Sequence, residues 1–289
     1  MGSEDTVTEF PVEGVIDAHV HLMPDRLMAA IREALTDAAG WTFEHPTGRE
    51  AIEATLVDAG VERYVALPYA HRPGVAAELN AWVCEAAADA PRAIPFATVH
   101  AGDEDVGGIV ERAFERGARG LKFQLPVQGF PADDPRLDPA YEAAAARDAP
   151  VVLHAGTAPM FEDDHNVGVE HFRSFLASFP GLRVCAAHMG TYEVEEFLAL
   201  AREHGSVFLD TTFAMSAVAE QYMDFDPSTI PDATLAELSE SIMYGSDYPN
   251  IPYPYERERG HLLSRNLPAE VQRDIFSRTA RRFLGESPE

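Results

Sequence analysis

Two histidines separated by a single residue, His19 and His21, stand at the end of an apolar run near the start of the chain. Alternate residues of a β-strand point to the same side, so both imidazoles can face one metal ion. Three more groups that bind divalent metals follow similar apolar runs: His154, His188 and Asp247. If these runs are neighbouring strands of one sheet, the five side chains converge. The chemistry they could then perform is metal-assisted activation of a water molecule or a substrate.

Eight short apolar runs alternate with helix-patterned stretches, and Pro and Gly stand where helices should start or stop. The runs cover residues 14–20, 61–68, 92–99, 119–125, 149–155, 182–188, 206–212 and 241–247. Apolar strands that alternate with helices predict a parallel sheet covered on both faces. Eight such units are the number that closes a (β/α)8 barrel, in which catalytic groups come from the carboxyl ends of the strands. An open doubly wound sheet would look similar locally, but the chain has neither its G-x-G-x-x-G fingerprint nor a P-loop.

The predicted fold class is therefore α/β, a single TIM barrel over residues 14–289 that follows an N-terminal extension of residues 1–13. A length of 289 residues suits this fold, which typically needs about 250. The two cysteines, Cys84 and Cys185, lie far apart in apolar surroundings. This pattern predicts buried free thiols rather than a disulfide or a cysteine-rich zinc site.

The charge balance excludes two classes of partner. Asp and Glu number 48 against 22 Lys and Arg, for a net charge of −26, and such a field repels nucleic acid and anionic membranes. No apolar run approaches the roughly 18 residues of a membrane span, and the first ten residues are polar and acidic. We expect a cytoplasmic protein whose partner is a small-molecule substrate.

The acidic residues are dispersed along the chain, and Lys122 is the only lysine. Dispersed carboxylates with almost no lysine predict adaptation to high salt, where screening suppresses self-repulsion. We therefore expect the Tm of the protein to rise between low and molar salt in a thermal unfolding series. A Tm that stays constant or falls would contradict the halophilic interpretation.

The order of these residues resembles the amidohydrolase superfamily: Asp17-x-His19-x-His21 on the first strand, His154 and His188 on the fifth and sixth, and Asp247 on the eighth. Four connecting motifs resemble its amidohydrolase-2 branch, which includes aminocarboxymuconate-semialdehyde and benzoate-type decarboxylases. These motifs are GLKF (120–123), VQGFPADDPRL (127–137), AAHMG (186–190) and YGSDYP (244–249).

The resemblance runs from about residue 14 to 284 and implies a role for each group. His19, His21, His154 and Asp247 would bind one divalent metal, with zinc as the first expectation. Imidazole and carboxylate ligands also accept manganese, iron or cobalt. His188 would act as a general acid/base together with Asp247, and related barrels suggest a homodimer.

Lys122, near the end of the fourth strand, is predicted to be functional because arginine has replaced lysine everywhere else. Its ammonium, a compact charge that can lose its proton, would act on the substrate or on a neighbouring metal ligand. The alternative is a carbamylated lysine that bridges two metals, as in other branches of the superfamily. Two positions later, members of this branch often carry His where this chain has Gln124, which puts a proton-transfer role at that position in doubt.

Six residues that follow the predicted strands are candidate substrate contacts, with ordinary loop residues as the alternative interpretation. Arg72, beside Tyr69, could bind a substrate carboxylate through its bidentate fork. The full set is Tyr69, Arg72, His100, Gln124, Tyr248 and Asn250.

Two reactions fit this constellation. The first is hydrolysis of an amide, ester or lactone of a small organic acid by metal-activated water, with His188 and Asp247 moving protons. The alternative is non-oxidative decarboxylation of an aromatic or dienoate acid that a metal and an arginine hold. A barrel that binds metal or ligand without turnover is the third interpretation. Sequence alone does not separate the first two, because their metal ligands are shared.

Overall fold

The structure, a computed structural model, describes residues 9–161 and 163–287. Eight parallel strands follow one another in chain order, each inside one of the predicted apolar runs. They are β1 (Ile16–Val20), β2 (Arg63–Ala66), β3 (Ala93–Pro95), β4 (Leu121–Phe123), β5 (Val151–Leu153), β6 (Val184–Ala186), β7 (Val207–Asp210) and β8 (Ile242–Met243). Regular pairing groups them as β1-β2-β3 and β4-β5-β6-β7-β8.

Single parallel bridges cross both gaps between these two sheets. Ala97 pairs with Leu121 between the third and fourth strands, and Val20 pairs with Tyr248 between the first and eighth. Backbone hydrogen bonds reinforce each gap, for example from Lys122 N–H to the Ala97 carbonyl at 2.8 Å. The eight strands therefore follow each other around a ring, and the predicted TIM-barrel architecture is confirmed.

Helices cover the outside of the ring. They are α1 (Asp25–Ala39), α2 (Arg49–Asp58), α3 (Ala76–Ala88), α4 (Val106–Glu115), α5 (Leu125–Gln128), α6 (Asp138–Ala146), α7 (Val169–Ser178), α8 (Val194–Glu203), α9 (Ala219–Met223), α10 (Asp232–Glu237), α11 (Glu256–Ser264), α12 (Ala269–Arg273) and α13 (Thr279–Phe283). A π-helical turn at Asp274–Arg278 joins the last two. None of the helices in the described residues is long and apolar enough to cross a membrane.

The apolar core has two layers, as a barrel requires. The larger layer lies between strands and helices, and a smaller one fills the interior with residues such as Ile16, Val65 and Phe208. Phe283 of α13 packs against Phe208 with ring centroids 5.3 Å apart. Since Phe283 belongs to the interior cluster, the last helix helps to fill the barrel. Cys84 and Cys185 are free and buried, as predicted.

The predicted N-terminal extension begins within the undescribed residues 1–8, and its last residues pack on the barrel. Phe10 lies edge-on to Tyr244 and Phe276, each with a centroid distance of 5.3 Å. The Arg259 guanidinium lies 4.1 Å from the centre of the same ring. Residues 9–13 are thus attached to the barrel through an aromatic and cation–π cluster.

A sharp left-handed segment ends β6 and makes glycine necessary at Gly190. This residue has φ +76°, and a Cβ there would overlap the buried ring of Phe197. We expect Gly190→Ala to lower the free energy of unfolding by about 3 kcal/mol, because it adds backbone strain to overpacking. Urea denaturation would measure the change. Gly181→Ala is the matched control, since a Cβ added at Gly181 would meet nothing within 4 Å; an equal loss in both variants would contradict the prediction.

Candidate metal centre and active site

The candidate side chains stand at the carboxyl ends of the strands. His19 lies in β1, His21 lies one residue beyond it, and Asp247 follows β8. Asp247 N–H donates to the His19 carbonyl at 2.8 Å, and His21 N–H donates to the Tyr248 carbonyl at 2.8 Å. These bonds bring the predicted ligands of the first and last strands side by side.

The hydrogen bonds of the two histidines fix which nitrogen of each ring faces inward. His21 Nδ1 lies 2.9 Å from the Leu67 carbonyl, which can only accept, so this nitrogen carries the proton. His19 Nδ1 lies 2.9 Å from the Asp210 carboxylate and donates to it in the same way. The Nε2 lone pairs of both rings therefore point at Asp247 Oδ1, at 3.0 Å from His21 and 3.3 Å from His19.

Acceptor atoms that converge in this way repel each other unless a cation lies between them. Ligands about 2.0–2.1 Å from a tetrahedral ion are about 3.3 Å apart, close to the observed separations. Three potential ligand atoms also lie within 4.8 Å of one another, one each from His19, His188 and Asp247. In the described part of the chain this is the one such cluster of three or more metal-binding side chains. The outward hydrogen bonds to a carboxylate and a carbonyl are those that orient metal-binding histidines. The residues present fit a divalent metal ion.

The electrostatics of the group agree with a metal site. Burial, reinforced by the Lys122 ammonium, lowers the pKa of His19 to about 3, so its ring is neutral and can act as a ligand. Burial alone would raise the pKa of Asp247, but positive charge at the position of the His21 ring, and then of the His19 ring, holds it well below its usual range. A metal ion bound by the neutral rings would act in the same direction. Asp247 is therefore a carboxylate at neutral pH.

His154 and His188 lie together beside this group. His154 Nδ1 is 3.1 Å from His188 Nε2 and 3.0 Å from Gln124 Nε2. Three of the four predicted ligands thus converge directly, whereas His154 contacts the centre through His188. His188 is the predicted acid/base residue, but one of its ring nitrogens lies within 4.8 Å of ligand atoms of His19 and Asp247. This position would also allow His188 to be a metal ligand.

Lys122 is completely buried, and its Nζ lies 3.3 Å from His19 Nε2. Burial lowers its pKa to about 8, against the opposing effects of Asp210 and Asp247. This position fits one of its two predicted roles, a charge acting on a neighbouring ligand, better than direct contact with a substrate.

Asp210 is the main site residue that sequence reasoning missed. One oxygen accepts from His19 Nδ1 and the other from His188 N–H, both at 2.9 Å, so this buried carboxylate positions two site histidines. Its only signal was its place at the end of β7, in SVFLDTT, where the strand stops being apolar.

We expect Asp210→Asn to weaken metal binding by about 10- to 100-fold while the protein stays folded, since such supporting residues typically contribute this much. An amide offers one acceptor oxygen where the carboxylate uses two. Metal competition titrations with a chelator would measure the affinity. Asp133→Asn is the control, because Asp133 pairs with His171 at 2.7 Å away from this site. Unchanged metal affinity in Asp210→Asn would remove the positioning role.

The backbone at two site residues is held in the sparsely populated left-handed region. His188 has φ 57° and Asp247 has φ 58°. Such conformations cost free energy and persist where the surrounding structure imposes them, often at active sites. Both are supported here by backbone hydrogen bonds, to Asp210 for His188 and to His19 for Asp247.

A pocket opens over the site, and its cavity volume is about 70 Å³. His21, His154, His188 and Asp247 line it together with Tyr69, Gln124 and Asn250. The remaining lining is apolar and comes from helices and loops between the strands, including Leu35 of α1, Val127 of α5, Met223 of α9, and the loop residues Trp41, Phe161 and Phe213. Trp41 stacks on Phe213 with centroids 5.5 Å apart. The pocket therefore has the composition of a small-molecule site, with apolar walls and a few polar groups.

Three of the six predicted substrate contacts line this pocket: Tyr69, Gln124 and Asn250. The other three do not. Tyr248 is buried, and its hydroxyl lies 3.1 Å from Thr55 Oγ1 on α2. His100 Nε2 bonds to the Gln128 carbonyl at 3.0 Å, and Arg72 is exposed on its loop. The structure thus gives these three residues the loop and packing roles that were the alternative interpretation.

Together these features define the class of protein: an α/β barrel enzyme with a metal-binding group and a substrate pocket at the carboxyl ends of its strands. A family model for the amidohydrolase-2 family, described as amidohydrolase, matches residues 16–285. The chain belongs to this family and is a metal-dependent enzyme of the amidohydrolase superfamily. No curated protein matches the chain in sequence.

Solved structures agree on the fold. An uncharacterized TIM-barrel protein from Bordetella bronchiseptica is 19% identical, with a TM-score of 0.74 over 94% of this chain and 98% of its own. The 5-carboxyvanillate decarboxylase of Novosphingobium aromaticivorans, complexed with manganese and a nitrobenzoic acid, is 16% identical, with a TM-score of 0.64 over 96% and 99%. A 2,6-dihydroxybenzoate decarboxylase in complex with 2,6-dihydroxybenzoate is 15% identical, with a TM-score of 0.65 over 95% and 100%. At this level of identity the likeness establishes the fold.

Proposed function

We propose that the protein is a metal-dependent, non-oxidative decarboxylase of an aromatic carboxylic acid. The observation that carries the proposal is the pocket. Aromatic side chains, among them Trp41, Phe161 and Phe213, line a space that also contains His188 and Asp247. A flat aromatic ring could stack against such side chains, with its carboxyl group toward the polar groups of the site. The likeness to two decarboxylases of benzoic acids supports the same reaction.

The proposed metal centre is one divalent ion held by His19, His21 and Asp247, with His154 or His188 as a further ligand. When bound, this ion supplies positive charge that orients the substrate and stabilises developing negative charge. Zinc is the expectation from the sequence, whereas the Novosphingobium decarboxylase contains manganese. Both metals accept this donor set, so both are loaded in the experiment below.

The protein's own residues would then bind the ring and move the proton. Trp41 and Phe213 hold the aromatic ring and exclude water, while Asn250 and Gln124 each offer a buried carbonyl oxygen without a hydrogen-bond partner. The bond between the ring carbon and the carboxyl carbon breaks, and its electron pair stays on the ring carbon. His188, or Asp247 once it has taken up a proton from solvent, would deliver a proton to that carbon, CO2 would leave, and solvent would restore the proton.

Isotope labelling distinguishes decarboxylation from hydrolysis, the first of the two reactions that the sequence suggested. The metal-loaded enzyme is incubated with a panel of hydroxybenzoic acids in D2O, and with aryl esters and lactones in H2(18)O. We expect one deuterium on the carbon that loses CO2, with CO2 and arene formed in equal amounts. Acids that carry 18O, formed from the esters or lactones while the benzoic acids stay intact, would overturn the proposal in favour of a hydrolase.

Two further proposals rest on the sequence. The dispersed acidic surface supports a salt-rich cytoplasm as the working environment. A homodimer is the expected assembly, and light scattering of the protein at high salt would measure its mass.

A further inference from the structure

The pocket is apolar except where it meets the metal-binding group. Although the chain has 22 basic residues, the pocket has very few charged side chains. Among the described residues that line it, none is Arg or Lys. Its one acidic member, Asp247, belongs to the metal-binding group. A substrate group that points away from the reacting carboxyl group therefore meets no positive charge.

The basic residues nearest in sequence or in contact with the site are already engaged. Lys122 is buried against His19 and does not line the pocket. Arg32, on the same helix as the pocket residue Leu35, donates to the backbone carbonyls of His45, Pro46 and Pro249. Arg72, which the sequence suggested as a carboxylate anchor, is exposed outside the pocket.

A second carboxylate would consequently be desolvated without a cationic partner. An ionised carboxylate that leaves water for an apolar site loses far more hydration free energy than weak contacts return. The walls opposite the metal-binding group offer Leu35, Trp41 and Met223, none of which donates a hydrogen bond to an anion except through the single indole N–H. The net charge of −26 adds repulsion at the mouth.

We propose that this pocket selects aromatic monocarboxylates and excludes dicarboxylates: its substrate carries one anionic group, the one that reacts, on an otherwise uncharged ring. The proposal rests on the proposed function for the identity of the reacting group. It also separates this chain from the 5-carboxyvanillate decarboxylase it resembles in fold, since the substrate in that enzyme's name carries two carboxyl groups.

The test compares two ligands of the same shape and different charge. A nitro group is planar and uncharged and has nearly the size of a carboxylate, so 3-nitrobenzoate and benzene-1,3-dicarboxylate form a matched pair. Isothermal titration calorimetry on the metal-loaded protein at fixed salt gives the Kd of each. We expect the dicarboxylate to bind about 100-fold more weakly, as desolvation of an unpaired carboxylate predicts.

A rim substitution supplies the missing charge. Val127 lines the pocket and is 42% exposed, so a longer side chain fits there without repacking the core. Val127→Arg should strengthen dicarboxylate binding about 10-fold and leave 3-nitrobenzoate nearly unchanged, because a guanidinium pairs with a carboxylate. Val127→Gln is the matched uncharged control and should leave the ratio of the two Kd values unchanged.

Equal Kd values for the two ligands in the natural protein would overturn the proposal. Recovery of dicarboxylate binding in Val127→Gln to the same extent as in Val127→Arg would also overturn it, since shape rather than charge would then decide. Both readouts are binding constants, so they do not depend on turnover. Absence of CO2 release from any acid would count against the proposed decarboxylation. The two Kd values would still test the charge selectivity of the pocket.

Discussion

Protein with His19 replaced by Ala is expected to fold, to lose most of its metal and to lose all measurable turnover. His19 joins the two parts of the site: its Nδ1–H donates to Asp210, and its Nε2 faces Asp247 Oδ1 at 3.3 Å. Without the ring, the metal loses one of its proposed ligands and the site loses the hydrogen bond to Asp210 that orients the group, so the remaining ligands should hold the metal much more weakly. The side chain is fully buried, so the variant also leaves a cavity.

Elemental analysis of protein purified at high salt measures the metal per chain, and circular dichroism checks the fold. His204→Ala is the control, because His204 follows α8 and belongs to neither the pocket nor the metal-binding group. Close to one equivalent of metal is expected in the control and in the natural protein, and well under half in His19→Ala. Full occupancy in His19→Ala would refute its assignment as a ligand.

The barrel was predictable because its signal is carried by composition over many residues. Each strand lies inside an apolar run, and each of the long helices from α2 to α8 matches a helix-patterned stretch. Helix α1 carries the same kind of signal, because Leu27, Met28, Ile31 and Leu35 recur at helical spacing and pack into one cluster with Tyr69. Local pattern therefore identifies the elements that bury an apolar face.

The metal-binding group was predictable for a different reason, which is geometric. Residues at strand ends of one barrel must meet at one face, so His19, His21 and Asp247 could be placed together without knowing any side-chain conformation. The division of roles between His154 and His188 could not be placed in this way. It depends on which nitrogen of each ring faces which neighbour, and the left-handed backbone at His188 leaves no mark in the sequence.

The pocket walls were the least predictable part. Trp41 and Phe213 come from loops between strands, Met223 ends the short helix α9, and the three are close together only in the folded protein. The three predicted substrate contacts that lie outside this pocket, Arg72, His100 and Tyr248, have the same origin. Residues just past a strand can turn into the pocket, as Tyr69 does, or away from it, as Tyr248 does toward Thr55, and loop conformation decides between the two.

The second large effect concerns His188, whose replacement by Asn should keep the metal and lower turnover by about 10²- to 10⁴-fold, the usual contribution of a general acid/base. Asn suits the test because it tolerates the left-handed backbone of this position better than Ala does. His19, His21 and Asp247 still converge in this variant, so three ligands remain for the metal. The variant lacks the imidazole that lines the pocket beside Asp247, so proton transfer to the substrate should be slower.

The matched variant is His154→Asn, which changes the ring that lies 3.1 Å from His188. If the roles implied by the resemblance hold, His154→Asn loses metal, and His188→Asn keeps it while turnover falls. Metal loss from His188→Asn with metal retained in His154→Asn would exchange the two roles. That outcome would agree with the closer approach of His188 to His19 and Asp247, and it would leave Asp247 as the group that moves the proton. Metal content and kcat measured on the same preparations therefore assign both histidines.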